Sequence, residues 1–155
     1  MNQYERLLQL AHKDDVEVID YRFESNAIKG LYCNNTIALN KRLETTAEKA
    51  CVLAEELGHH YTSAGDIIDQ KNIVNKKQEH RARLWGYKQM VTLEKIVSAY
   101  KAGCRNRYEV ADHIGVSEDF LQNALDKYGA IYGAGVQVKE YLILFAPLRI
   151  YHIDY

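Results

Sequence analysis

Residues 45–60 constrain this sequence most, because both the start and the inner face of one helix can be read from them. Thr45-Thr46-Ala47-Glu48 is a capping-box pattern: a threonine at the N-cap and a glutamate at N3 satisfy backbone N–H groups that the first turn leaves bare. Ala47, Ala50, Cys51, Ala54 and Leu57 follow at helical spacing. They form a stripe of small side chains suited to close packing. The helix then ends on Glu55-Glu56-Leu57-Gly58-His59-His60. Core helices rarely carry two adjacent carboxylates and two adjacent imidazoles in their last turns unless that end is solvated or functional.

Spacing gives the functional reading of that end. Four residues at about 100° each return a side chain to nearly the same face, so Glu55 and His59 stand one turn apart. In the H-E-x-x-H zinc helix two ligands four apart flank a glutamate that activates water. Here Glu55 occupies the place of the first histidine and Glu56 that of the glutamate. A catalytic zinc takes three protein ligands, so a third must come from another element, and Glu79-His80 offers one on a second helix. A carboxylate there completes a Glu/His/Glu set, harder and more negative than His/His/Glu. Zn²⁺ is the first expected occupant of such a set, with Mn²⁺ or Fe²⁺ as alternatives. The competing reading is a merely polar helix end, since ExxxH alone is a weak signal.

The remaining segments frame this helix. Tyr4, Leu7, Leu8 and Ala11 place an amphipathic helix over 3–12. Residues 16–21, 28–32 and 36–39 read as strands. Asn34-Asn35 between the last two suits a tight turn, because Asn tolerates left-handed backbone. A small antiparallel sheet is therefore expected before the motif helix, and Gly65-Asp66 marks a loop after it. The apolar pattern from Asn75 to Ala99 predicts one long second helix. Gly86 within it costs about 1 kcal/mol relative to Ala, which implies close helix–helix approach near the motif. Residues 107–117 and 118–127 resemble a helix-turn-helix, with Ala111 and Gly115 small at the crossing and Ser117 capping the second helix. Gly133-Ala134-Gly135 reads as a flexible break, and 141–145 and 148–153 as strands divided by Pro147.

Bulk properties exclude several classes. Lys plus Arg number 20 against 21 Asp plus Glu, for a net charge of -1, unlike a protein that coats nucleic acid. Residues 118–127 carry three acids and one base. Such a helix would meet phosphate with repulsion, so no direct nucleic-acid binding is expected. The three cysteines are widely spaced, with no CxxC pair. They read as buried or half-buried thiols in a reducing compartment. No signal pattern opens the sequence and no stretch is apolar enough for a membrane span, so the expectation is cytoplasmic.

The run Leu53–Tyr61 followed by Gln78–Gly86 resembles the ImmA/IrrE family of metallopeptidases. The family pattern is a helix ending H-E-x-G-H, then a helix carrying E-x-x-A-(N/R)-x-(F/W)-A. Glu56 matches the catalytic glutamate, His59 the second histidine ligand and Glu79 the glutamate ligand. Ala82, Arg83, Trp85 and Gly86 follow in register. The likeness covers roughly residues 15–100, weakening towards 130, and departs from the pattern at Glu55.

The resemblance implies a metal-dependent endopeptidase of the antirepressor type found in phages and mobile elements. Its metal would be held by Glu55, His59 and Glu79, and Glu56 would activate a metal-bound water. The protein substrate would be a helix-turn-helix transcriptional repressor. A peptidase transition state also needs an oxyanion donor besides the metal: His60 or Tyr61 could serve as that donor or as a secondary ligand, and Tyr87 is a further candidate donor. The alternative is an impaired module that grips the repressor without hydrolysis. The expected architecture is a single α+β domain over 1–155. Its core, residues 1–100, has a small antiparallel sheet packed on the zincin-like motif helix and the long second helix. Residues 101–155 add a helix-turn-helix-like subdomain and a terminal β-hairpin.

Overall fold

The computed structural model describes residues 1–63 and 73–154. The fold is α+β, in two compact units, Met1–Gln89 and Met90–Tyr155. The loop expected at Gly65-Asp66 lies outside the described residues.

In the first unit, helix α1 spans Gln3–Lys13, and strands β1, β2 and β3 span Glu17–Tyr21, Gly30–Cys33 and Thr36–Asn40. Helix α2, Thr46–Thr62, is the motif helix, and helix α3 runs over Ile73–Met90. Local chemistry sets most of these boundaries. Asn2 caps α1 by accepting from Glu5 N–H at 2.8 Å, and Thr45 caps α2 by accepting from Glu48 N–H at 3.1 Å. Asn34 and Asn35 both take the left-handed backbone, with φ of 50° and 58°. They make the two-residue turn that joins β2 to β3.

The sheet is mixed, where a purely antiparallel one was expected. Its order is β1-β3-β2. The β2–β3 hairpin is antiparallel, but β1 pairs with β3 in parallel. The chain from residue 22 to 29 crosses the end of the sheet and sets β2 on the far side of β3. Strand β3 therefore enters between two strands that a sequential reading would have paired. Ile37 and Leu39 of β3 and Leu53 and Leu57 of α2 are fully buried, and α2 packs against α1, β2 and β3. Cys51 is buried as expected, whereas Cys33, at the end of edge strand β2, is exposed.

The long second helix is in fact two. Helix α3 ends at Met90 and helix α4 spans Leu93–Lys101. The Thr92 side chain accepts from Lys95 N–H at 3.1 Å and starts the new helix. Apolar periodicity runs through the break, which hid it from a pattern reading. Helix α5, Arg107–Ile114, and helix α6, Glu118–Tyr132, form the helix-turn-helix-like pair, and Ser117 caps α6 at 3.2 Å from Phe120 N. Gly115 serves as a left-handed C-cap with φ of 91°, a backbone role that glycine takes without a Cβ penalty. The supposed break at 133–135 begins strand β4, Gly135–Val138. A Cβ on Gly135 would lie 2.5 Å from the Ile143 carbonyl oxygen, so glycine is needed there for strand pairing. With strand β5, Tyr141–Phe145, and strand β6, Leu148–His152, it makes an antiparallel sheet in the order β4-β5-β6. The terminal hairpin thus gains a third strand.

The contact that positions the site lies between α2 and α3. A Cβ on Gly58 would sit 2.1 Å from the Ala82 carbonyl oxygen, and one on Gly86 would sit 3.4 Å from that of Ala54. The close approach expected from Gly86 is present, and at Gly58 it is closer still. Alanine favours a helix over glycine by about 1 kcal/mol, but overpacking a tight contact costs about 1–3 kcal/mol or more. Gly58→Ala should therefore lose about 2 kcal/mol net in urea denaturation, while Gly86→Ala should stay within about 1 kcal/mol of the wild type.

Candidate metal centre

Helices α2 and α3 bring three ligand-type side chains together. One ligand atom each from Glu55, His59 and Glu79 lies within 4.8 Å of the others, and all three residues are half-buried. His59 Nε2 is 3.2 Å from Glu79 Oε1. Ligands of one ion at about 2.1 Å stand about 3.4 Å apart in tetrahedral geometry, so that pair already has ligand spacing. The widest separation allowed by the 4.8 Å limit is a side-chain adjustment beyond it. One imidazole nitrogen and two carboxylate oxygens are a donor set suited to a divalent cation.

Glu56 faces the sheet. Backbone hydrogen bonds alternate along β3, so Lys29, Leu31 and Cys33 pair with it, while Gly30 and Tyr32 turn their backbone groups outward. The outward N–H of Tyr32 donates to the Glu56 carboxylate. Gly30 makes room for this, since a Cβ there would be 3.2 Å from Glu56 Cγ and 2.6 Å from Val52 Cγ1. Burial pushes Glu56 up to about 8, with the charges of Glu55 and then Glu79 adding to the rise and the Tyr32 N–H opposing it. Burial and like charge thus prepare Glu56 to hold a proton near neutral pH.

The two proposed auxiliary residues differ in what they touch. Tyr61 donates its hydroxyl to the Asp14 carboxylate and stacks on Trp85 with ring centres 4.9 Å apart. Burial, then the bond to Asp14, pushes that phenol up to about 12. His60 Nδ1 lies 2.7 Å from the Tyr32 hydroxyl. Its Nε2 has no hydrogen-bond partner among the described residues. His80 is exposed and, like His60, falls outside the Glu55–His59–Glu79 group.

Two contributors were given no role by the sequence reading. Arg83 Nε lies 3.3 Å from Glu55 Oε1 and its Nη2 lies 4.0 Å from Glu79 Oε2. The i,i+4 rule that paired Glu55 with His59 also pairs Glu79 with Arg83 and could have found it. Tyr32 has no local signal, because its part depends on which side of β3 the second strand occupies.

The sequence profile of the IrrE N-terminal-like domain, a peptidase family, matches residues 11–126, or 116 of 155 residues. The chain belongs to this family of metallopeptidases. No curated protein matches it. Membership implies a metal and a protein substrate for an IrrE-like domain of this kind, and the Glu55–His59–Glu79 group is where this chain could hold the ion. No helix among the described residues is long and apolar enough to cross a membrane.

The Glu56 environment sets a pH dependence for the metal-free protein. Its folded-state proton affinity exceeds its unfolded one, so its contribution is fully present below about pH 4.5 and is lost as pH rises through about 8. Glu56→Gln removes that loss. In chelator-treated samples the Tm advantage of Glu56→Gln over wild type should grow by several degrees from about pH 5 to about pH 8. Saturating Zn²⁺ should narrow the gap, because a cation between Glu55 and Glu79 opposes their repulsion of Glu56.

Proposed function

We propose that this chain hydrolyses a peptide bond in a helix-turn-helix repressor, with Glu55, His59 and Glu79 as metal ligands and Glu56 as the proton carrier. The observation that carries the reading is the convergence of three ligand atoms within 4.8 Å beside a half-buried carboxylate whose proton affinity is raised to about 8. Two carboxylates and one imidazole suit Zn²⁺ first, and Mn²⁺ or Fe²⁺ as well. A divalent ion supplies Lewis acidity there, towards a water and a peptide carbonyl.

The chain's own groups account for the protons. Glu56 takes one from the attacking water and returns it to the amide nitrogen as the C–N bond breaks, acting first as general base and then as general acid. His60 is the preferred donor to the developing oxyanion: Tyr32 fixes its ring through Nδ1, whereas the Tyr61 hydroxyl is already engaged by Asp14. The three free cysteines, one of them exposed, suit a reducing cytoplasm.

A second reading has its own observation. Glu55 replaces the histidine of the family pattern and is held by the guanidinium of Arg83. A site neutralised in that way could serve a protein that grips the repressor without cutting it.

Metal analysis and co-incubation with the cognate repressor separate the two. Hydrolysis predicts about one divalent ion per chain, lost in His59→Ala. It also predicts repressor fragments whose rate of formation falls about 10²–10⁴-fold in Glu56→Gln while the metal stays bound. Stable repressor binding with no fragments, at full metal occupancy, would decide for the gripping module.

A further inference from the structure

We propose that Arg83 is a positioning residue for the metal site, holding one carboxylate oxygen of Glu55 and one of Glu79 so that the other oxygen of each is left for the cation. The inference rests on reading Glu55, His59 and Glu79 as ligands. Its basis is how the oxygens are shared. Arg83 Nε meets Oε1 of Glu55 at 3.3 Å, and its Nη2 approaches Oε2 of Glu79 at 4.0 Å. The other oxygen of Glu79, Oε1, faces His59 Nε2 at 3.2 Å. Glu79 is thus divided between imidazole and guanidinium, and Arg83 is the one basic group that reaches both carboxylates among the described residues.

Physical chemistry makes this more than an ion pair. Glu55 and Glu79 repel one another and Glu56, and a guanidinium beside them offsets part of that charge while leaving the cluster net negative, as a cation site needs. Guanidinium is a planar fork of donors with no lone pair, so it can bridge two carboxylates but cannot ligate a metal itself. Two effects on the cation compete. Arg83 repels it, and Arg83 also pre-orders its ligands. The Arg83 side chain is 51% exposed, so solvent screens both its repulsion of the cation and its attraction for the carboxylates, but the Nε–H donated to Glu55 Oε1 is a directional contact that also fixes the carboxylate's orientation. Ordering should therefore win. Removing an outer partner of a metal ligand typically weakens metal binding 10–100-fold.

The test is a double-mutant cycle read as Zn²⁺ dissociation constants, by competition with a chelating dye at fixed pH. Circular dichroism of each metal-free variant checks folding. Arg83→Met should weaken Zn²⁺ binding about 10–100-fold. Arg83→Lys should recover only part of this, because one ammonium cannot bridge both carboxylates. In a Glu55→His background the further change Arg83→Met should cost markedly less, since the Glu55 carboxylate is then gone. Arg83→Gln replaces Arg83→Met in the cycle if the latter fails to fold. Binding as tight as or tighter than wild type in Arg83→Met overturns the proposal, because Arg83 would then compete with the cation. An equal loss in both backgrounds also overturns it. Zn²⁺ uptake by wild type with no coupling refutes the role of Arg83 alone; no uptake by wild type or Glu55→His refutes the ligand reading with it.

Discussion

The site depends on a backbone contact. Gly58 lets α2 approach the carbonyl of Ala82 so closely that any side chain at 58 would occupy the same space. Gly58 precedes His59, and Ala82 lies three residues after Glu79, so the contact sits directly beneath the proposed ligands. Two helices in ordinary side-chain contact have axes about 8–10 Å apart, and a missing Cβ permits the closer approach seen at Gly58. At this separation His59 Nε2 and Glu79 Oε1 are 3.2 Å apart. The glycine that weakens α2 as a helix thus lets α2 and α3 present Glu55, His59 and Glu79 together. Gly30 does the same on the sheet side, allowing β2 close enough for the Tyr32 N–H to reach Glu56.

This packing gathers more negative charge than a fold needs. Three carboxylates share a half-buried volume, and the result appears as the raised proton affinity of Glu56. Such a cluster is unfavourable unless it is paired or hydrogen-bonded. The structure offsets it in part, with one backbone N–H on Glu56 and one guanidinium on Glu55 and Glu79. Departures from locally stable chemistry concentrate at functional sites, and a cluster whose charge is only partly offset is one that a divalent cation could balance. The same excess charge that calls for a cation also raises the basicity of Glu56. On the proposed reading, burial and the repulsion among the proposed ligands together set the basicity of Glu56.

What the sequence disclosed followed from range. The α2 cap at Thr45, the Asn34-Asn35 turn and the α6 cap at Ser117 each depend on three or four neighbouring residues, and each is found where those residues put it. Glu55, His59 and Glu79 were legible because helical spacing and a second motif constrain them, and the structure brings their ligand atoms together. What stayed hidden was non-local or masked by a stronger pattern. Nothing within residues 17–40 says that β1 will pair in parallel with β3. The hairpin register turns Tyr32 away from β3, but only that topology leaves β2 as an edge strand whose outward N–H can meet Glu56. Thr92 breaks a helix inside unbroken apolar periodicity. Gly133 and Gly135 read as flexibility, though one caps a helix and the other admits a neighbouring strand.

The departure at Glu55 is best understood with Arg83. A histidine in a family-type motif is neutral when it ligates, so a glutamate there adds a full negative charge beside Glu56 and Glu79. Left alone, that charge would deepen the repulsion and make the site more demanding of a cation but less able to acidify water. Arg83, one turn beyond Glu79 on the facing helix, supplies one positive charge within 3.3 Å of the new carboxylate. With it, the net charge around the donor set returns to what a neutral ligand in that position would give. A carboxylate is also suited to this division of labour, since one oxygen can bind Arg83 while the other remains available. As proposed ligand and proposed positioning residue, Glu55 and Arg83 together would carry the net charge of a single neutral ligand. On that reading the substitution would change how the first donor is held while preserving the charge around a bound cation.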